Sequence, residues 1–240
     1  MRPRVIAPTE REARAIGNEA VACPASDAAR VIDELRRSQP FDVLVIAGVC
    51  GGLDPSLPPG SIILARAVAT VARDDLVPDT RGFSAARRAL RGSNARFVSS
   101  KMLTLERPAA SRAVKTALWN TYGAGGVDME TYQLATLAEE QGVPWLALRA
   151  VLDSSCSSLP ASLREWSADA SERAIALHAA RRPWEWPAVA RLAWQMRAAC
   201  QALCAALDVA LPALEALPAE AKHLDVVGRV PLAALDVSVR

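Results

Sequence analysis

The sequence predicts an α/β fold: a three-layer α/β/α sandwich around a mixed, largely parallel sheet, with a helical C-terminal extension. Three observations lead there. Short apolar runs rich in Val, Ile and Leu alternate with amphipathic helical stretches as far as Pro160. The joins between them are brief and carry Gly and Pro. Beyond Pro160 no strand pattern is evident and a helical period takes over.

Taken in order, residues 5–7 (V-I-A) start the sheet. Residues 27–37 place Val31, Ile32 and Leu35 on one helical face, with Ser26 or Asp27 as cap. Residues 41–47, F-D-V-L-V-I-A, form a nearly continuous apolar run ending at Gly48, the pattern of a strand buried on both faces. Residues 61–71 give a second strand, introduced by the turn L-P-P-G, and residues 96–103 a third. A helix is expected over 108–119, with Pro108 in its first turn. Residues 129–141 turn Leu134, Leu137 and Ala138 inward and Glu139 and Glu140 outward. That helix stops at Gly142 with Pro144 just beyond. Residues 143–152, V-P-W-L-A-L-R-A-V-L, make the fourth strand. Residues 163–180 read as helix, and 181–187, R-R-P-W-E-W-P, as a rigid aromatic joint. A long helix runs from Ala188 with Val189, Leu192, Met196, Leu203 and Leu207 on one stripe. The expected organisation is a catalytic domain over 1–180, a helical extension over 181–217 and a loosely ordered tail over 218–240.

Composition narrows the function. A net charge of +2 on 240 residues is too small to make nucleic acid the main partner. No apolar run reaches the length of a spanning helix, and the N-terminus lacks the apolar core of a secretory signal. The five cysteines, Cys23, Cys50, Cys156, Cys200 and Cys204, form no C-x-x-C pair, which fits a reducing cytoplasm rather than a disulfide framework or zinc site. Cys200 and Cys204, one helical turn apart, read as small core residues. His178 and His223 have no partner at ligand spacing and read as structural.

Ligands of α/β sheets sit off the C-terminal ends of the strands, so chemistry is sought there. Residues 48–55, G-V-C-G-G-L-D-P, follow the first strong strand. They form either a tight turn or a stretch whose N–H groups approach a ligand. The spacing is not G-x-G-x-x-G and no G-K-[ST] is present, so a dinucleotide or P-loop site fits poorly. Glu130 stands where a loop turns into a helix, a position the helix dipole favours for any acid. Asp153 ends an apolar strand and equally suits the cap of the turn-forming S-S-C-S-S. Glu10 and Glu12 follow the first strand and read by themselves as a solvated helix start. It is the convergence of these acids and the glycine segment on strand ends that suggests a site for a polyol and a leaving group.

Three segments carry a family resemblance, in order: E-R-E-A-R-A-I at 10–16, V-I-A-G-V-C-G-G-L-D-P at 45–55, and V-D-M-E-T at 127–131 with R-A-V-L-D at 149–153. They resemble the nucleoside phosphorylase/nucleosidase superfamily, which includes purine nucleoside phosphorylases and methylthioadenosine/S-adenosylhomocysteine nucleosidases. The likeness runs from about residue 3 to about residue 180. E-A-R near the N-terminus, G-G-L-D-P-S-L-P-P-G, and the segment R-R-P-W-E-W-P-A-V-A-R-L-A-W-Q-M-R look most like its hopanoid-associated branch, linked to release of adenine from adenosylhopane.

The resemblance implies roles. Asp153, beside the base with Val127, protonates the departing purine. Glu130 accepts from the ribose 2′- and 3′-hydroxyls, and Met129 packs on the sugar. Gly48, Val49, Cys50, Gly51 and Gly52 line the nucleophile side, and Glu12 activates water. It implies no metal or organic cofactor, with phosphate as the alternative co-substrate to water. Phosphorylases of the superfamily hold phosphate with arginine and serine near the glycine segment. That segment here offers neither, and Arg14 and Arg66 qualify by charge alone, which tilts the expectation toward hydrolysis. The N-terminal region is also shorter than in the water-using nucleosidases, implying a more open pocket suited to a bulky 5′ group. Trp184, Trp186 and Trp194 among Arg181, Arg182, Arg191 and Arg197 suit either a helix-packing or dimer contact, or peripheral docking on the inner membrane face. The expected partner is a small or lipid-linked adenine nucleoside, and a homo-oligomer is expected by resemblance. The alternatives are a methylthioadenosine/S-adenosylhomocysteine nucleosidase and a non-catalytic nucleoside-binding protein.

Overall fold

The computed structural model describes residues 1–17, 20–160 and 181–218. The strands are β1 (Pro3–Ala7), β2 (Ala20–Ala22), β3 (Val43–Gly52), β4 (Ile62–Ala69), β5 (Phe97–Thr104), β6 (Ala124–Asp128) and β7 (Trp145–Asp153). The helices are α1 (Glu10–Ile16), α2 (Ala28–Ser38), α3 (Thr80–Arg91), α4 (Arg112–Tyr122), α5 (Thr131–Glu140) and α6 (Trp186–Glu215). They form a mixed α/β fold, as the alternating pattern predicts.

The sheet is ordered β2-β1-β3-β6-β5-β4-β7, and β7 also pairs with β3. The strands from β3 to β7 therefore close on themselves, while β1 and β2 extend the sheet outward. Length lets β3 do this. Its first half pairs in parallel with β1 on one edge, and its last residues, Gly51 and Gly52, pair antiparallel with Val127 and Gly126 of β6. Along its other edge it runs parallel to β7. The mixture comes from β3–β6 and β4–β7, which are antiparallel; the remaining ladders are parallel.

Side chains on β3 alternate between two cores, as the two-residue period of a strand requires. Leu44 and Ile46 pack with Val31, Ile32 and Leu35 of α2 and Leu134 and Ala138 of α5. Val43, Val45 and Ala47 pack with Leu90 of α3 and Leu203, Leu207 and Leu214 of α6. Helices thus cover both faces, and the second half of α6 belongs to the same core as the strands.

Several elements differ from the sequence expectation. The glycine segment 48–52 is not a turn. It continues β3, because Gly48, Val49 and Cys50 pair on with Arg149, Ala150 and Val151, and the irregularity is a bulge between Cys50 and Gly51. The helix expected from Pro108 begins at Arg112, where the Ser111 hydroxyl accepts from the Val114 N–H. β2, α3 and β6 were not anticipated. β2 has only three residues. β6, A-G-G-V-D, carries two glycines and little strand propensity. α3 is interrupted in sequence by Gly82, although the Asp79 carboxylate caps it by accepting from the Gly82 N–H. The aromatic joint is a short 3₁₀ turn, Pro183–Glu185, running straight into α6. With that turn, α6 is long and apolar enough to cross a membrane by length and composition alone, which the sequence reading missed; Ala199, Leu203, Ala206, Leu207, Ala210 and Leu214 are buried against the protein. The helix expected over 163–180 and the tail from 218 fall outside the described residues, apart from Pro218 itself.

Candidate active site

The site is built around a buried arginine. Arg149, on β7, is fully buried, and its Nη2 lies 3.0 Å from Asp128 Oδ2 at the end of β6. Its Nε and Nη2 both donate to Thr131 Oγ1, at 2.9 and 2.6 Å, and the Thr131 hydroxyl donates onward to Asp128. Thr104 on β5 donates to Asp128 Oδ1 at 2.7 Å and accepts from the Tyr132 N–H. This network fastens the β6–α5 corner, so Met129 and Glu130 project from a fixed loop between two anchored residues, Asp128 and Thr131. Burial works against the guanidinium charge, but Asp128, Glu12 and Glu130 outweigh it and hold the Arg149 pKa above its ordinary value. Arg149 Nη1 is buried and has no hydrogen-bond partner among the described residues. It passes beside Gly48, where a Cβ would lie 2.1 Å from Nη1 and 2.7 Å from Glu12 Oε1. Only glycine permits that approach.

Glu12 is buried, not solvated as the helix-start reading held. Thr9 caps α1 by accepting from the Glu12 N–H, and its hydroxyl donates to Glu12 Oε2 at 2.7 Å. The Val49 N–H donates to Glu12 Oε1 at 2.8 Å. A helix cap and a strand amide therefore aim the carboxylate at the β3–β7 seam. Glu10 stays exposed and pairs with Arg14.

Glu130 is the residue before α5, and its side chain makes no capping hydrogen bond. Burial, then the charge of Asp128, push its pKa up to about 7. Asp153 ends β7 and is buried. Burial raises its pKa, opposed by Lys115. The Lys115 ammonium, itself buried on α4, forms an ion pair with Asp153 Oδ2 and donates to the Ser154 carbonyl at 2.9 Å. Burial also pushes the Cys50 thiol far up, so it is neutral and unreactive here.

The acids face one cavity of about 900 Å³, toward the upper end of the usual range for ligand sites. Glu12, Asp128, Glu130 and Asp153 line it, as do Val49, Cys50, Gly51, Val127 and Met129. Of the residues singled out from the sequence, Gly48 and Gly52 are not on its wall. Gly48 makes room for Arg149, and Gly52 pairs with Gly126 in the sheet. Arg14 reaches the cavity, whereas Arg66 is exposed on β4 away from it. Pro8, Pro24, Ala109, Leu159 and Met196 supply apolar wall. Sequence reasoning missed Arg149, Asp128 and Lys115. The first two stood inside the quoted motifs, and a charged residue within an otherwise apolar strand was a signal for Arg149. Nothing in α4 marked Lys115, since only the fold brings it to Asp153.

The fold is shared with solved nucleosidases. An S-adenosylhomocysteine nucleosidase from Streptococcus pyogenes, in complex with 5-methylthiotubericidin, superposes with a TM-score of 0.65 at 14% identity, covering 91% of this chain and 98% of that one. A Helicobacter pylori MTAN mutant with 5′-methylthioadenosine in the active site gives 0.66 at 11% identity, covering 90% and 99%. Futalosine hydrolase of Helicobacter pylori gives 0.65 at 11%, covering 88% and 97%. No curated protein sequence matches the chain. Residues 14–181 match the Phosphorylase superfamily, and the chain belongs to that family.

Proposed function

We propose that this protein cleaves the N-glycosidic bond of a 5′-substituted adenosine, releasing adenine, and that water is the nucleophile. The observation that carries this is the convergence of Glu12, Glu130 and Asp153 on one cavity, with an unpartnered Arg149 Nη1 beside Glu12. Three acids in different surroundings suit three tasks. Glu130 offers two acceptor oxygens to a vicinal diol, and hydroxyl donors would draw it toward its ionised form. Asp153, its pKa raised by burial, donates a proton to the purine as the bond to the sugar breaks. Glu12, with both oxygens already fixed by Thr9 and Val49, would take the proton of an attacking water, and the Arg149 guanidinium behind it supports the carboxylate's negative charge. Val127 would lie against the base and Met129 against the sugar. No cofactor enters this scheme.

Arg149 supplies the guanidinium that the glycine segment lacks, yet the choice of water stands on charge. One guanidinium faces Asp128, Glu12 and Glu130, so a phosphate dianion would enter a field that its carboxylate neighbours make repulsive. The shared fold with an S-adenosylhomocysteine nucleosidase and a futalosine hydrolase also favours hydrolysis.

The 5′ group we favour is bulky and apolar, with adenosylhopane the leading candidate. A cavity of about 900 Å³ exceeds what a nucleoside alone fills, and Pro24, Leu159 and Met196 give it apolar wall. Trp184 and Trp194, exposed on the segment that carries Met196, suit peripheral membrane docking, and assembly into a homo-oligomer is part of the same proposal. A second reading, cleavage of methylthioadenosine or S-adenosylhomocysteine, is favoured by the H. pylori neighbour solved with 5′-methylthioadenosine. Adenine release measured over a panel of 5′-substituted adenosines, with phosphate present and absent, decides among these. Strict phosphate dependence overturns hydrolysis, and a preference for small thioethers selects the second reading.

A further inference from the structure

The residue that α4 buries is a lysine, an expensive choice on a helix whose other side chains are half-exposed or exposed. Burying an ammonium is tolerated only with close compensation, and Lys115 Nζ has two partners, Asp153 Oδ2 and the Ser154 carbonyl. The Ser157 hydroxyl also reaches Oδ2, at 3.5 Å. Both side-chain partners thus sit on Oδ2, while Oδ1 lies over Gly51, a residue of the cavity wall. The carboxyl group is held from behind and presents its other oxygen forward.

We propose that Lys115 is a positioning residue for base departure: its ammonium holds the Asp153 carboxyl with Oδ1 toward the cavity and neutralises the carboxylate left when the proton has gone. This rests on the function proposed above. In the step, the Oδ1–H bond breaks and an N–H bond forms on the purine. The electron pair of the glycosidic bond passes to the base, C1′ of the sugar bonds to the oxygen of the water that Glu12 deprotonates, and Asp153 becomes an anion already facing a cation. The acid regains its proton from water when the base leaves. Burial alone would leave a feeble acid, since its conjugate base would be stranded in apolar surroundings. The other titratable groups around the pair are Cys50 from β3, kept neutral by burial, and the Asp128–Arg149 pair from β6 and β7, while Glu12 and Glu130 line the same cavity. None of these hydrogen-bonds Asp153, so among the described residues Lys115 is its charged partner.

The test compares Lys115→Met and Lys115→Arg with wild type in three measurements. The pH profile of kcat for adenine release should fall on its alkaline side about 1 unit or more higher in Lys115→Met, with a maximum about 10²-fold lower and KM little changed. Lys115→Arg should restore much of both. 4-Nitrophenyl riboside, whose leaving group needs no proton, should be cleaved by Lys115→Met at close to the wild-type rate. Carboxyl carbon-13 NMR of Asp153 should titrate higher in Lys115→Met, a reading independent of any substrate. A merely structural lysine would lower all rates alike and leave the profile and titration in place, and that result overturns the proposal. If wild type releases no adenine, the functional reading fails separately, and the NMR titration still tests the pairing. Should Lys115→Met not fold, Lys115→Gln carries the same comparison.

Discussion

Gly48 and Arg149 are matched by shape: the guanidinium Nη1 occupies the space where any other residue at position 48 would place its Cβ, 2.1 Å away. Register pairing brings them side by side, since Gly48 and Arg149 are partners across the β3–β7 ladder. The glycine therefore serves the charge network, not a ligand-binding turn. Gly48→Ala should push Nη1 or Glu12 out of place. An overpacking cost of about 1–3 kcal/mol and a loss of adenine release of about 10²-fold are expected, read by urea melts and by the adenine assay. Gly60→Ala, at φ +85° but with open space around it, should cost about 1 kcal/mol and leave activity intact.

Glu130 makes stability depend on pH in a definite direction. Its folded pKa of about 7 lies above that of an unfolded chain, so the native state binds the proton more tightly. The contribution is fully present below the unfolded carboxyl pKa, near 4–5, and is lost as pH rises through about 7. In that window the slope approaches about 1.4 kcal/mol per pH unit. Glu130→Gln should flatten it, making the variant less dependent on pH than wild type between pH 5 and 8 while adenine release falls by about 10²-fold or more. Urea unfolding at stepped pH checks the first outcome; an unchanged slope would sink the assignment of the titration to Glu130.

Arg149 and Asp128 are a buried ion pair, and removing one member strands the other. Arg149→Met should destabilise the fold by about 3–5 kcal/mol, because Asp128 then keeps only Thr104 and Thr131 as partners. Arg149→Met with Asp128→Leu should recover part of that stability and none of the activity, since the unpartnered Nη1 beside Glu12 is gone. Arg149→Lys is not conservative here: a single ammonium cannot reach Asp128, Thr131 and the Gly48 side at once. A double variant no more stable than Arg149→Met would show that the pair is not the source of the cost.

The contrast between what was legible and what was not follows from range. β3 and β7 were read from their apolar runs because strands buried on both faces concentrate Val, Ile and Leu locally. Glu130 and Asp153 were found because strand ends and helix starts are local features too. β6 escaped because A-G-G-V-D is chosen for closeness, not propensity: at Gly126 a Cβ would sit 2.7 Å from Ile63 and 3.0 Å from Cys50. Lys115 escaped for a different reason. Its partner is 38 residues away, and a lysine on a short surface-like helix gives no local sign that tertiary packing will bury it. The turn reading of the glycine segment fails because glycine weakens a strand alone, whereas here two neighbouring strands hold it in place.

Membrane docking can be tested without disturbing the fold. Trp184 and Trp194 are 73% and 71% exposed, so replacing both with Ser should leave thermal stability within about 0.5 kcal/mol of wild type. Truncation before Arg181 cannot serve, because it would also delete Ala199, Leu203, Leu207 and Leu214 from the core shared with β3 and α3. If the exposed tryptophans sit at a lipid interface, the double variant should lose most of its co-sedimentation with anionic liposomes, and added salt should weaken wild-type binding through Arg191 and Arg197. Cleavage of small soluble adenosines should be unchanged, since neither tryptophan lines the cavity. Equal co-sedimentation of variant and wild type would assign these side chains to a protein contact instead, and the oligomeric state of the double variant would then be the quantity to measure.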